Sequence, residues 1–106
     1  MNIVERTYQI TALFPKDERF GLISQMRRCA VSIASNISEG SGRNSNREFN
    51  YFLGISNGSA NELFTQLILS ERLNFIDKKI VEPIIKEVIE VQKINYTLIK
   101  KFSKKK

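Results

Sequence analysis

Apolar residues recur along most of the chain at intervals of three and four, which is the period of an amphipathic α-helix. The second of four predicted helices shows this period most clearly. It opens near Asp17, whose negative charge is favourable at a helix N-terminus, and ends at Gly40 and Gly42, which favour helix termination. Its apolar stripe consists of Leu22, Ile23, Met26, Cys29, Ala30, Ile33, Ala34 and Ile37.

The first predicted helix is short, running from Met1 to about Leu13. Phe14-Pro15 ends it because the residue before a proline avoids the helical region. At 1.5 Å per residue it spans roughly 20 Å, whereas the other three helices span roughly 33 to 43 Å. The longer apolar stripes extend past it, and we expect self-association to cover them. Its own apolar face contains Ile3, Tyr8, Ile10 and Leu13.

The third predicted helix begins with a capping box, in which Ser45 is the N-cap and Glu48 follows three residues later. Small residues occupy positions 56–60 of its stripe, and Gly58 there costs about 1 kcal/mol relative to alanine. We interpret Gly58 as the point where a neighbouring helix crosses closely. The apolar positions are Phe49, Phe52, Leu53, Ser56, Ala60, Leu63, Leu67 and Leu73.

The fourth predicted helix runs from an N-cap at Asp77 to about Phe102. Pro83 leaves two alternatives: the helix kinks there, or it starts at Glu82 with Pro83 at its first position. The pattern as a whole predicts an all-α fold, a four-helix bundle with a short first helix. It forms a single domain over residues 1–103, followed by a basic tail at 104–106. The fourth stripe consists of Ile84, Val88, Val91, Asn95, Leu98 and Phe102, flanked by Val81, Ile85, Ile89, Tyr96 and Ile99.

Composition excludes most catalytic and metal chemistry. The 106 residues include no histidine and one cysteine, which removes Ser-His-Asp triads, Cys-His dyads and zinc clusters. We therefore expect no enzyme activity, no metal and no cofactor. No apolar run reaches the ~18 residues of a membrane span, and no secretory signal is recognisable at the start. A cytoplasmic protein without a membrane-spanning segment is the expectation.

Positive charge is concentrated at the end of the sequence. The net charge is +6, yet residues 1–92 carry 11 basic and 11 acidic residues, so the last fourteen positions hold all the excess. Such a tail is typical of proteins that bind nucleic acid, an anionic membrane or an acidic partner, although it also serves solubility. The candidate contact residues are Lys93, Lys100, Lys101, Lys104, Lys105 and Lys106.

Two arginines flank the turn before the third helix. Arg43 and Arg47 enclose a stretch of Ser and Asn, and guanidinium groups in exposed loops suit phosphate oxygens. The nearby aromatic residues could stack on bases, but three aromatics within four helical positions are more typical of a core. These aromatic residues are Phe49, Tyr51 and Phe52.

Arg27 and Arg28 lie beside the apolar stripe of the second helix. Adjacent helical positions differ by about 100°, so the two side chains point in different directions. One of them could contact a phosphate or a neighbouring subunit. The alternative is a solvated face, or an internal salt bridge to Glu39 or Glu62.

Several stretches of the sequence resemble the 23S rRNA-intervening-sequence proteins, also called the bacterial four helix bundle family. The resemblance covers roughly residues 8–75, and its most specific part is SNISEGSGR at 35–43. The supporting stretches are FPKDERFGL at 14–22, SQMRRCAVSI at 24–33, Phe52-Leu53 and GSANEL at 58–63.

The resemblance implies an antiparallel up-down four-helix bundle that assembles as a homo-oligomer, a ring-like pentamer. Some members are encoded within insertions in large-subunit rRNA genes. A related branch is the accessory variability determinant of diversity-generating retroelements, a basic pentamer that binds nucleic acid and a reverse transcriptase. No enzymatic activity is implied. Members carry about a dozen more residues before the position of Met1, which leaves two alternatives: a truncated start or a member with a short first helix.

The specific stretch contains a polar set whose role we predict to be structural. Asn36 and Glu39 share a helix face, while Gly40 and Gly42 are expected to break the helix between Glu39 and Arg43. The set would connect this loop to a neighbouring helix or subunit; a ligand or RNA site is the alternative.

The sequence thus predicts a non-enzymatic, oligomeric accessory protein that binds RNA or DNA through the phosphate backbone. The alternative is a protein-interaction scaffold that docks a reverse transcriptase or a ribosomal component.

Overall fold

The structure, a computed structural model, describes residues 2–103 and measures 50 × 23 × 21 Å. Within this range the chain forms four α-helices and no strand, which confirms the all-helical prediction. Met1 and the predicted tail residues Lys104, Lys105 and Lys106 lie outside the described residues. The helices are α1 (Ile3–Thr11), α2 (Ser24–Ser41), α3 (Asn46–Arg72) and α4 (Lys78–Ser103).

The short first helix begins with a complete capping box. Asn2 Oδ1 accepts from the Glu5 amide at 2.9 Å, and the Glu5 carboxylate accepts from the Asn2 amide at 3.4 Å. The predicted apolar face is partly wrong, since Tyr8 and Leu13 are exposed. Two threonines take their place in the core, and polar residues at helical spacing are not visible to an apolar pattern. The buried positions are Ile3, Thr7, Ile10 and Thr11.

The second helix begins later than predicted. A 3₁₀ turn at Lys16–Glu18 and a wide π-type turn at Arg19–Ile23 precede α2, so Asp17 does not open it. The backbone of Gly21 lies outside the helical region, with φ −106° and ψ −107°, and it interrupts the regular turns there. The acidic start therefore belongs to a separate short element.

Two glycines have roles different from those predicted. Gly40 lies inside α2, where a side chain would place its Cβ 2.9 Å from Phe49 Cδ1 and from Phe52 Cβ. Gly42 caps the helix. Gly58 is exposed, and a Cβ there would meet nothing within 4 Å, so Gly58 is not the crossing point within the subunit. Gly40 is therefore where two helices approach closely.

The starts of α3 and α4 settle two questions that the sequence raised. Ser45 Oγ accepts from the Glu48 amide at 3.1 Å, which confirms Ser45 as the N-cap of α3. The α4 helix begins at Lys78 and continues through Pro83, so the alternative start at Glu82 is wrong.

The core lies between α3, which packs against α2 and α4, and α1, which packs against the same two helices on the other side. A chain of buried hydrogen bonds crosses it. Asn95 Nδ2 donates to Ser56 Oγ at 3.1 Å, and Ser56 Oγ donates to the Ile33 carbonyl at 2.9 Å. This chain fixes the register of three helices, because each buried polar group needs its partner. Among residues 2–103, no helix is both long and apolar enough to cross a membrane.

Candidate nucleic-acid interface

Four of the predicted cationic residues lie at one end of the bundle, where α2 ends, α3 begins and α4 ends. Three contacts hold α3 and α4 together there. Asn50 Nδ2 donates to the Ile99 carbonyl at 3.2 Å and to Ser103 Oγ at 2.8 Å, and the rings of Phe49 and Phe102 lie 5.4 Å apart. We call this end of the bundle the basic end; its four cations are Arg43, Arg47, Lys100 and Lys101.

Arg43 is held by contacts within its own subunit. Its Nη2 lies 2.6 Å from Glu39 Oε2, and its guanidinium carbon lies 4.9 Å from the centroid of the Phe52 ring. The helix ends between Glu39 and Arg43, as predicted, although it continues through Gly40 to Ser41, and the i, i+4 pair forms across this end. Arg43 shapes the turn, and Glu39 balances much of its charge.

Arg47 is exposed in the first turn of α3. A cation at the positive end of a helix dipole destabilises the helix, so helix stability does not explain an arginine at this position. The exposed Glu48 beside it is the charge that this helix start favours. Arg47 is therefore the basic-end arginine best placed to contact an anion.

The lysines of α4 lie along an exposed stripe. Lys93, Tyr96 and Lys100 are spaced three and four residues apart and share one helix face. Lys100 Nζ lies 5.7 Å from the Tyr96 ring centroid, and Lys101 Nζ lies at the same distance from the Phe102 ring. Lys93 begins the stripe about 10 Å before Lys100.

Two open hollows lie beside these cations. The first, of about 540 Å³, lies at the start of α3, and the second, of about 380 Å³, lies on α4. Each combines cationic side chains with an exposed tyrosine ring. The first is lined by Arg43, Ser45, Arg47, Glu48, Tyr51 and Phe52, and the second by Tyr96, Thr97, Lys100 and Lys101.

The structure does not bring Arg27 or Arg28 to the basic end. Both residues lie near the start of α2, about 24 Å along the helix from Arg43. Arg28 is exposed and bonds Gln25. These two arginines therefore face a different part of the surface from the lysines.

Arg27 connects α1 to α2. Its Nε donates to Thr11 Oγ1 at 2.8 Å, its Nη2 lies 3.4 Å from the Tyr8 carbonyl, and its guanidinium stacks on the Tyr8 ring at 4.4 Å. Of the alternatives left open by the sequence, the salt bridge to Glu39 or Glu62 does not form at Arg27, which instead neutralises the C-terminal end of α1.

Asn36 makes its hydrogen bonds within α2. Its Nδ2 donates to the Ser32 carbonyl at 2.9 Å and lies 3.0 Å from Ser32 Oγ. The hydroxyls of Ser32 and Ser59 are 2.7 Å apart, so the network reaches from α2 to α3.

Cys29 is fully buried in the core, with its Sγ 3.5 Å from Glu62 Oε1. Burial raises the pKa of the Cys29 thiol, and the neighbouring Glu62 carboxylate raises it further. The thiol is therefore protonated and unreactive at neutral pH. Within residues 2–103, no group of three or more Cys, Asp and Glu side chains could hold a metal ion.

Residues 1–97 match the protein family described as 23S rRNA-intervening sequence protein. The chain belongs to that family. The match confirms the resemblance carried by SNISEGSGR and the surrounding stretches. A search of curated proteins finds no match.

A solved structure shows the same fold. It is a protein of unknown function from the S23 ribosomal protein family of Bacteroides thetaiotaomicron, and its TM-score with this chain is 0.74. The two sequences are 24% identical, and the alignment covers 92% of this chain and 98% of the other. At 24% identity this similarity shows the fold and nothing about function.

Sequence reasoning missed two residues of this region. No sequence pattern identifies Asn50, which holds the end of α4, because its partners are 49 and 53 residues away. Tyr96 was assigned to the flank of an apolar stripe, yet it is 60% exposed. Its spacing from Lys93 and Lys100 could have identified it as part of a cationic face.

Proposed function

We propose that this chain is a non-enzymatic, oligomeric protein that binds RNA or DNA, with the basic end contacting phosphates. One observation carries the proposal: folding brings the α2–α3 turn and the C-terminal turns of α4 together, so that exposed Arg47, Lys100 and Lys101 lie at the same end of the bundle. Three more lysines follow in the sequence. Clustered cations bind phosphates without reading sequence.

Uncovered apolar surface supports oligomerisation. A hollow of about 190 Å³ lies open between α2 and α4 beside Ile3. Ile37 and Val91 line this hollow, and Ile89 and Ile94 are exposed farther along α4. A second copy would cover such surface, and the pentamer that the resemblance implies would place several basic ends in one particle.

Contacts between helices support the antiparallel up-down arrangement. Early α3 residues meet late α4 residues, as in Asn50 with Ser103, and later α3 residues meet earlier α4 residues, as in Ser56 with Asn95.

The proposal predicts that binding depends on cations of the basic end rather than on total charge. A variant with Arg47, Lys100 and Lys101 changed to Gln should bind RNA or DNA more weakly. Its log–log salt slope on duplex DNA should become shallower by about 0.9 for each phosphate that the variant no longer neutralises. Binding is measured by fluorescence anisotropy at several salt concentrations, and solution mass is measured in parallel.

A matched control removes the same charge elsewhere. Arg28, Lys78 and Lys79 are exposed residues distant from the basic end, and changing them to Gln should leave affinity and salt slope nearly unchanged. If both triple variants weaken binding equally, general charge rather than the basic end is responsible, and the proposal fails.

A second candidate function, a protein-interaction scaffold, is favoured by a different surface. Phe20 is 89% exposed beside a hollow of about 470 Å³ that three arginines line. Within residues 2–103 none of these three forms an ion pair. A partner such as a reverse transcriptase or ribosomal component would be retained by the chain and released on changing Phe20 to Ser. The three arginines are Arg19, Arg27 and Arg28.

A further inference from the structure

The basic end carries exposed aromatic rings as well as cations. Tyr51 is 66% exposed and Tyr96 is 60% exposed, although tyrosine rings usually bury much of their surface in a core or an interface. Both lie on regular helices rather than on loops. Phosphate binding alone gives no reason for either ring, since a phosphate is satisfied by charge and hydrogen bonds.

Each ring lies beside a cation at helical spacing. Arg47 precedes Tyr51 by four residues, and Lys100 follows Tyr96 by four, so each pair shares one helix face. The open hollows of about 540 and 380 Å³ each contain one of these pairs. A nucleotide needs this combination, because its base is a flat ring and its phosphate is an anion one sugar away.

Neighbouring residues fix the Tyr51 ring in place. It packs edge-on against Phe52, with ring centroids 5.2 Å apart and planes at 81°. The Arg43 guanidinium lies over the Phe52 ring and blocks it from other partners, whereas most of the Tyr51 ring is accessible. The Glu48 carboxylate also lines the hollow, and the positive end of the α3 dipole offsets its charge.

The geometry points to unpaired nucleotides as the ligand of the basic end, with bases stacked on Tyr51 and Tyr96. This inference rests on the proposed function and deepens it, because it names the class of nucleic acid. Bases within a duplex present their faces only to each other, so exposed rings add nothing to duplex binding. A single strand can place a base on each ring and its phosphates near Arg47, Lys93 and Lys100.

The test compares one RNA in two forms. A fluorescently labelled strand without self-complementarity is titrated alone and annealed to its complement, against the full chain and a variant with Tyr51 and Tyr96 changed to Leu. The Leu variant should lose single-strand affinity by about five- to a hundredfold for each ring that stacks a base. Its duplex affinity and its salt slope should stay unchanged, since no cation is removed.

Two controls separate stacking from other effects. Changing both tyrosines to Phe keeps the rings and should keep single-strand affinity. Changing Phe20 to Leu removes an aromatic ring that is 89% exposed but distant from the basic end, and it should alter neither affinity.

Three results would overturn the inference: equal loss of both affinities in the Leu variant, no loss of either, or a changed solution mass. The last would mean that the rings contact a neighbouring copy. If the charge variants weaken binding while the Leu variant does not, the proposed function stands without stacking. If the full chain binds neither form at low salt, the proposed function itself fails.

Discussion

The two ends of the bundle are built in different ways. At the basic end, regular helices meet through a short turn, with Gly42 capping α2 and Ser45 capping α3. At the opposite end, the irregular segment 12–23 connects α1 to α2 through a 3₁₀ turn and a wide π-type turn. Two basic and two acidic residues balance each other within that segment, whereas at the basic end the exposed cations outnumber the carboxylates.

This difference separates cations that build the fold from cations that are free to bind. At each end a side-chain hydrogen bond joins two helices, from Asn50 between α3 and α4 and from Arg27 between α1 and α2. At the opposite end the holding group is itself a cation. At the basic end a neutral amide holds the helices, and Arg47, Lys100 and Lys101 are left exposed.

The largest effect is expected where the basic end is packed most closely. Changing Gly40 to Val places a branched side chain 2.9 Å from Phe49 and Phe52, which should destabilise the fold by up to about 3 kcal/mol. Changing Gly58 to Ala is the control, since it meets open space and should stabilise α3 by up to about 1 kcal/mol. Urea unfolding measures both, and equal effects would contradict the packing role of Gly40.

At the opposite end, removing the guanidinium of Arg27 should cost about 2 kcal/mol. Leucine keeps part of the aliphatic stem but loses the bond to Thr11 and the stacking on Tyr8. Changing Arg28 to Leu should alter stability by less than about 0.5 kcal/mol, because Arg28 is exposed. Thermal and urea unfolding give the comparison, and similar losses for both variants would show that Arg27 does not anchor α1.

The sequence predicts features of each end that depend on neighbouring residues, and it does not predict features that depend on residues distant in the sequence. The caps of α3 and the i, i+4 stripe of α2 are local, so Ser45 and most core positions are correctly predicted. The close helix crossing is predicted at Gly58 but lies at Gly40, because the space beside a glycine depends on a helix elsewhere in the sequence. Arg27 is likewise assigned to the wrong partners, since Thr11 belongs to another helix.

A smaller effect is expected from the residue that holds the basic end. Changing Asn50 to Ala removes two hydrogen bonds to α4 and should cost about 1 kcal/mol. Amide exchange should quicken in residues 99–103 while α1 stays protected, because the loss is local. Changing Asn44 to Ala, an exposed position in the nearby turn, should leave exchange unchanged. Uniform quickening across all helices would mean that Asn50 supports the whole fold rather than this end.

The smallest effect lies between the two ends, at Cys29. Its pKa is raised by burial, so the folded state holds the thiol proton at pH values where the unfolded chain releases it. The unfolded state therefore binds fewer protons, and stability falls as pH rises through the ordinary thiol value of 9.0. At pH 9 half of the unfolded thiols are ionised, so the loss attributable to Cys29 is at most about 0.4 kcal/mol. Urea unfolding from pH 7 to 9 should show this decline in the full chain and not in a variant with Cys29 changed to Ala. An identical decline in both would assign it to other groups.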